Sequence, residues 1–247
     1  MMMTDGRKKS DVVILCGGKG TRLKEETESK PKPMVEIGGQ PILWHIMKYY
    51  SHYGFSRFVL ALGYKSDAIQ KFFSNSSSVE SDWEVVCVDT GLNTLKGARI
   101  KRLESYIQSD FFHLTYGDGL SDVNLRNLQA FHLEQKKIGT VTAVHPPSRF
   151  GEMDIEGNFV VRFEEKAQLK TGYINGGFFV FDKSFLNCLT EDSQCDLEFG
   201  ALQKLSRDRE LVTYKHQGYW QCMDNVRDME YLNKLWNSGS PPWKVWS

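Results

Sequence analysis

The chain has 247 residues with 31 basic and 31 acidic side chains, a formal net charge of zero, so it lacks the basic excess of a nucleic-acid binder. It contains no apolar run near the eighteen or so residues of a membrane span. Its five cysteines, Cys16, Cys87, Cys188, Cys195 and Cys222, show no C-x-x-C spacing, which argues against a disulfide framework or a zinc site and fits a reducing cytoplasm.

Residues 1–10 have no apolar signal-peptide core and read as a disordered leader, and residues 11–247 read as one large α/β domain with a substantial core. Val12-Val13-Ile14-Leu15 is a short apolar run rich in β-branched side chains, the pattern of a strand buried on both faces. Cys16-Gly17-Gly18-Lys19-Gly20-Thr21-Arg22 follows directly. Glycines there let the backbone approach a ligand closely and turn its N–H groups toward phosphate oxygens. The spacing is neither a Walker A loop nor a dinucleotide fingerprint, since Leu23 stands where a third glycine would be needed. Next comes Lys30-Pro31-Lys32-Pro33-Met34, where the two prolines predict an extended segment that aims Lys32.

The remaining pattern alternates strand and helix. A helix is predicted over Pro41 to Tyr53, a strand over Phe58 to Leu62, a helix through Ile69, Phe72 and Phe73, and a strand over Trp83 to Val88 leading into Asp89-Thr90-Gly91. Ser74 to Ser81 reads as a loop. This rhythm predicts a mostly parallel sheet with right-handed crossovers. The run Phe111 to Tyr116 ends in Gly117-Asp118-Gly119, and open α/β sheets bind ligands at such strand ends. Asp118 is then either a turn residue or a hard oxygen ligand suited to Mg²⁺. Leu125 to Gln135 reads as a helix and Gly139 to Val144 as a strand. From Pro146 an antiparallel excursion is predicted, with a hairpin at Glu156-Gly157-Asn158. Tyr173 to Phe181 is a further buried strand. Asp224 either caps the helix starting near Asn225 or serves as a ligand, and the closing tryptophans serve packing or a subunit contact.

The order Gly-Gly-x-Gly-Thr-Arg, Lys-Pro-Lys-Pro-Met-Val-Glu-Ile-Gly-Gly, then Pro-Ile-Leu-Trp-His-Ile-Met-Lys resembles the sugar-phosphate nucleotidyltransferase family, and within it the glucose-1-phosphate cytidylyltransferase branch. The likeness runs from Val12 nearly to the end. It implies a single Rossmann-like nucleotidyltransferase domain, a homo-oligomer, and transfer of CMP from CTP to a phosphorylated small-molecule acceptor with release of pyrophosphate. Glucose 1-phosphate leads among acceptors, with another sugar phosphate or a non-sugar phosphate of surface-polysaccharide modification as the alternative; a non-catalytic nucleotide sensor is more distant. Carried onto this chain, the nucleotide falls to Leu15, Gly17, Gly18, Gly20, Thr21, Arg22, Lys32, Gly97, Arg99, Gly117 and Asp118. The acceptor falls to Tyr116, Gly151, Glu165, Lys166, Asn175 and Glu198, and Mg²⁺ to Asp118 and Asp224. Arg22, Lys32 and Asp118 are the residues expected to drive catalysis. The absence of a Ser-His-Asp arrangement is expected, because a phosphate monoester with a second pKa of about 6 is already an ionised nucleophile. The barrier is the approach of two polyanions, which positioning and cations must lower. The chain departs from the family pattern at Lys96-Gly97-Ala98-Arg99, where Thr-Gly-Gly-Arg is usual, at Ala167 for proline and Leu197 for tryptophan, and in the short Ser74 to Ser81 loop.

Overall fold

The computed structural model describes residues 10–75, 80–147, 152–164 and 172–246. Strand β1 (Asp11–Leu15) leads through the glycine loop to the short helix α1 (Lys24–Thr27), a small ribbon of β2 (Glu36–Ile37) and β3 (Gln40–Pro41), and helix α2 (Ile42–His52). Then come β4 (Arg57–Leu62), α3 (Ser66–Ser74), β5 (Glu84–Asp89), α4 (Lys96–Lys101), β6 (Phe111–Tyr116) and β7 (Gly119–Ser121). The chain continues with α5 (Leu125–Gln135), β8 (Gly139–Val144), β9 (Glu152–Glu156), β10 (Phe159–Glu164) and β11 (Ile174–Asp182). It closes with α6 (Gln203–Arg207), β12 (Leu211–Lys215), β13 (Trp220–Cys222) and α7 (Val226–Asn237).

A seven-stranded sheet runs in the order β12-β8-β11-β6-β1-β4-β5. Every neighbouring pair is parallel except those made by β11, which runs antiparallel to both β6 and β8. The expected mostly parallel sheet is therefore observed, with one reversed strand inside it. Both faces are covered, which is why β1 needs no polar alternation: Val12 and Ile14 enter one apolar layer with α2 and the tail, and Val13 enters the other with Ile100, Phe179 and Phe185. Trp243 is fully buried, its ring beside those of His45 and Trp236, so this closing tryptophan serves packing.

Two local expectations need correction. Lys32 does not lie in an extended segment: Pro31 is extended, but Lys32–Met34 form a tight 3₁₀ turn in which Met34 N–H donates to Pro31 O at 2.8 Å and Val35 N–H to Lys32 O at 3.1 Å. A first turn needs no N–H from Pro33, whose fixed φ suits it. Ser74 belongs to α3 rather than to the following loop, and most of that loop lies outside the described residues.

The expected hairpin is present as β9 and β10, with a register shift between Val160 and Arg162. That bulge keeps Met153, Ile155, Val160 and Phe163 on one face, and each of them is more than half exposed.

Candidate active site

Ligand sites in open α/β sheets form beyond the carboxyl ends of the strands, and here a cavity of about 420 Å³ opens there. Leu15 and Cys16 at the end of β1 pass into Gly17, Gly18 and Gly20, while Tyr116 at the end of β6 passes into Gly117 and Asp118; all of these line the cavity. Arg22, Lys32, Arg99, Asn175 and Asp224 complete the expected residues on its wall. Thr21, Gly97 and Glu198 are not on it: Gly97 is buried against the backbone of Cys195 and Asp196. Gly151, Glu165 and Lys166 lie outside the described residues. The cavity also takes in Pro33, Thr94, Leu95, Lys96, Trp220 and Cys222; Lys96 opens the segment where the chain departs from Thr-Gly-Gly-Arg, and none of these residues was among those expected to bind.

The glycine loop is braced from behind. Arg99, only 4 % exposed, donates to Gly17 O at 3.1 Å, Leu62 O at 3.0 Å, Thr90 Oγ1 at 2.7 Å and Leu92 O at 3.2 Å. A Cβ at Gly17 would stand 2.1 Å from Arg99 Nη1. Gly17 is thus needed for the guanidinium as much as for a ligand. The structure places Arg99 as a strut that joins the loop to the ends of β4 and β5 through both terminal nitrogens while also lining the cavity.

Four charges meet in the cavity. Lys32 Nζ lies 2.6 Å from Asp118 Oδ2 and 2.9 Å from Asp224 Oδ1, and Arg22 Nη1 lies 2.7 Å from Asp224 Oδ2. Burial alone would pull the Lys32 ammonium down, but Asp118 and Asp224 outweigh it and hold its pKa above the ordinary value. Burial likewise pushes the Asp224 carboxyl up, and Lys32 and Arg22 more than reverse that. Asp224 reaches Asp118 through backbone pairing: β13 pairs antiparallel with β7, and Met223 N–H donates to Asp118 O at 2.9 Å. Asp224 is not the cap of α7. Asn225 fills that role, accepting from Asp228 N–H at 3.1 Å in a capping box, which leaves the Asp224 carboxylate to the cavity.

A second polar group adjoins the cavity, with Tyr116, Asn175 and Lys96 on its wall and Glu198 joined to two of them. Tyr116 Oη donates to Glu198 Oε1 at 2.7 Å and accepts from Asn175 Nδ2 at 3.0 Å, and Lys96 Nζ pairs with the same Glu198 carboxylate. Trp220 Nε1 donates to Gly176 O at 2.7 Å, which steadies the Asn175 step. At Gly177, φ is +77° and a Cβ would meet the Tyr116 ring at 2.6 Å, so glycine is required for that ring to lie in place. The two thiols on the cavity are not ionised at neutral pH. Burial, then Asp224, pushes Cys222 up to about 12, and burial raises Cys16 further. Neither is a poised nucleophile.

A glycine-rich loop, two cations and two carboxylates thus lie together beyond the carboxyl ends of the central parallel strands. A model of the nucleotidyl transferase family matches residues 11–235, and the chain belongs to that family of enzymes. Within it, the chain is 43 % identical to a glucose-1-phosphate cytidylyltransferase of Salmonella typhi, with 95 % of this chain and 98 % of that one covered. A probable glucose-1-phosphate cytidylyltransferase of Bacillus subtilis is 40 % identical over 95 % of this chain and 99 % of its own. Among solved structures, HddC from Yersinia pseudotuberculosis superposes with a TM-score of 0.69 at 28 % identity, over 92 % of this chain and 99 % of that one. The inositol-1-phosphate CTP transferase of T. maritima shares the fold, with a TM-score of 0.71 at 19 % identity over 98 % of this chain and 99 % of that one.

Proposed function

We propose that this protein transfers CMP from CTP to α-D-glucose 1-phosphate, forming CDP-glucose and pyrophosphate. The observation that carries the reading is the likeness to glucose-1-phosphate cytidylyltransferases along nearly the whole of both chains, joined to a cavity that sets Arg22 and Lys32 beside a glycine-rich loop. The acceptor phosphate is the nucleophile; its oxygen forms the new bond to the α-phosphorus of CTP as the bond to pyrophosphate breaks. The N–H groups of the Gly17–Gly20 loop receive the triphosphate, Lys32 meets its charge from the cavity wall, and Arg22, 72 % exposed, meets it at the mouth. Tyr116, Asn175 and Glu198 hold the acceptor. Each of these contacts lowers the repulsion between two anions or fixes their alignment, which is the main demand of phosphoryl-transfer chemistry.

The donor set also fits Mg²⁺. Two carboxylates, Asp118 and Asp224, already converge on one cationic nitrogen, and Mg²⁺ is commonly held by one or two carboxylates together with substrate phosphates. When bound, the ion would neutralise phosphate charge during transfer. Self-association is part of the same proposal: a two-stranded ribbon is marginal on its own, and the uncharged face of Met153, Ile155, Val160 and Phe163 suits a second copy of the chain. Light scattering on the intact protein tests this, and a monomer at assay concentrations would count against it. Among the described residues no helix is long and apolar enough to cross a membrane.

The activity is tested by pyrophosphate release from CTP, UTP, dTTP, ATP and GTP, each with glucose 1-phosphate and with other phosphorylated acceptors. CTP with glucose 1-phosphate should give the highest kcat/KM. A preference for UTP or dTTP, or brisk turnover of another phosphate with no CDP-glucose formed, would refute the assignment.

A further inference from the structure

Lys96 is the one cation on the cavity wall, among the described residues, that faces the acceptor group rather than the ion-pair cluster. Its ammonium pairs with Glu198 and lies 5.2 Å from the centroid of the Tyr116 ring. Lys96 is also the first residue of α4, where the positive end of a helix disfavours a cation. The pair adds little stability, since the Lys96 side chain is 43 % exposed and exposed ion pairs are weak. A side chain that breaks a local rule with little structural gain points to the site it faces.

Glu198 cancels the charge of Lys96, so the lysine is no general attractor of anions, and what the pair offers is directional. Both Tyr116 Oη and Lys96 Nζ use Oε1 of Glu198, which leaves Oε2 without a partner among the described residues. An ammonium has three donors, so Lys96 retains N–H bonds for a ligand. We propose that Lys96 and Glu198 form a donor–acceptor clamp for two adjacent hydroxyls of the acceptor ring, one donating to Glu198 Oε2 and the next accepting from Lys96 Nζ. Lys96 is thereby a specificity-determining residue, and the clamp selects a polyhydroxylated ring with neighbouring free hydroxyls. This rests on the reading of Tyr116, Asn175 and Glu198 as acceptor-binding.

Lys96→Met keeps the aliphatic stem against Tyr116 and removes the donors, while Lys96→Arg keeps a cation and donors. Steady-state kinetics are run with glucose 1-phosphate varied at fixed CTP, and the reverse. Loss of a hydrogen bond to a charged donor should raise the acceptor KM of Lys96→Met by about tenfold or more, with kcat and the CTP KM within about twofold, and Lys96→Arg should recover part of the loss. The wild type should discriminate by about tenfold or more against singly deoxygenated glucose 1-phosphates at two adjacent positions, and Lys96→Met should lose one of those penalties. A rise in the CTP KM instead, or retention of both penalties, overturns the clamp while CDP-glucose formation stands. A wild type that makes no CDP-glucose overturns the acceptor reading; the variants are then compared on whichever sugar phosphate it uses, and unchanged discrimination there overturns the clamp.

Discussion

Replacing Lys32 with methionine removes the cation that Asp118 and Asp224 share while keeping most of the side-chain volume. In the native cluster Arg22, Lys32, Asp118 and Asp224 sum to zero charge. Lys32 Nζ stands 2.6 and 2.9 Å from oxygens of the two aspartates. The variant therefore leaves two carboxylates roughly 5 Å apart with no counterion between them, and unit charges at that separation repel by about 3 kcal/mol at an effective dielectric of ~20. Both carboxylates are about three-quarters buried, with 26 % and 25 % side-chain exposure, and Arg22 still partners Asp224. The net loss expected at pH 7 is about 1–3 kcal/mol. The pH dependence has a definite sign. Lys32 and Arg22 hold the Asp224 pKa below its ordinary value against the effect of burial, so their stabilisation is present at neutral pH and is lost as pH falls through the folded pKa. In the variant Asp224 loses a cation that opposes the effect of burial, so it takes up a proton more readily, and the deficit against wild type is full at pH 7 and shrinks as pH falls through the carboxylate range. Loss of a cation aimed at the triphosphate should lower kcat/KM by about 10²–10³. Thermal denaturation at pH 7, 5 and 4, with pyrophosphate release at pH 7, measures both effects. An unchanged melting temperature at pH 7 together with near-native kcat/KM would refute the assigned cluster.

Asp118→Asn should abolish turnover while leaving the melting temperature within a few degrees of wild type, and normal activity would remove Asp118 from the catalytic group. Gly17→Ala drives a methyl to 2.1 Å from Arg99 Nη1 and should cost about 2–4 kcal/mol through overpacking and displaced hydrogen bonds. Gly18→Ala is the contrast, because a Cβ there meets nothing within 4 Å; it should leave stability unchanged, and equal melting temperatures for the two variants would contradict the strut. Burial lowers the pKa of His45 to about 4, of His113 to about 3 and of His132 to about 4. These rings stay neutral in the folded chain but take up protons in the unfolded one below about pH 6.5, so each should withdraw about 2 kcal/mol by pH 5. A melting temperature that stays flat from pH 7 to pH 5 would refute this.

Much of the site was legible in the chain because strand ends have a local grammar. An apolar run followed by glycines at Gly17 and Gly18, and another followed by Gly117-Asp118, place backbone amides and a carboxylate beyond parallel strands whatever lies elsewhere. Lys32 was also legible as a directed cation, although the turn that directs it was not, since proline fits an extended segment and a first helical turn equally well. The family likeness assigns Arg99 to the nucleotide; what only the packing of α4 against the ends of β1, β4 and β5 decides is that its guanidinium also bonds Gly17, Leu62 and Leu92. Asp224 could have been a helix cap until the capping box assigned that task to Asn225 and Asp228, and the pairing of β13 with β7 set its carboxylate beside Asp118. The Lys96–Glu198 pair joins residues far apart in the chain. Neither residue has a local pattern that names the other, because their meeting depends on how α4 and the Leu197–Leu202 segment pack beside the sheet. Short-range propensity and strand-end chemistry determined which groups are available; the register of distant strands and the packing of helices decided which of them face each other.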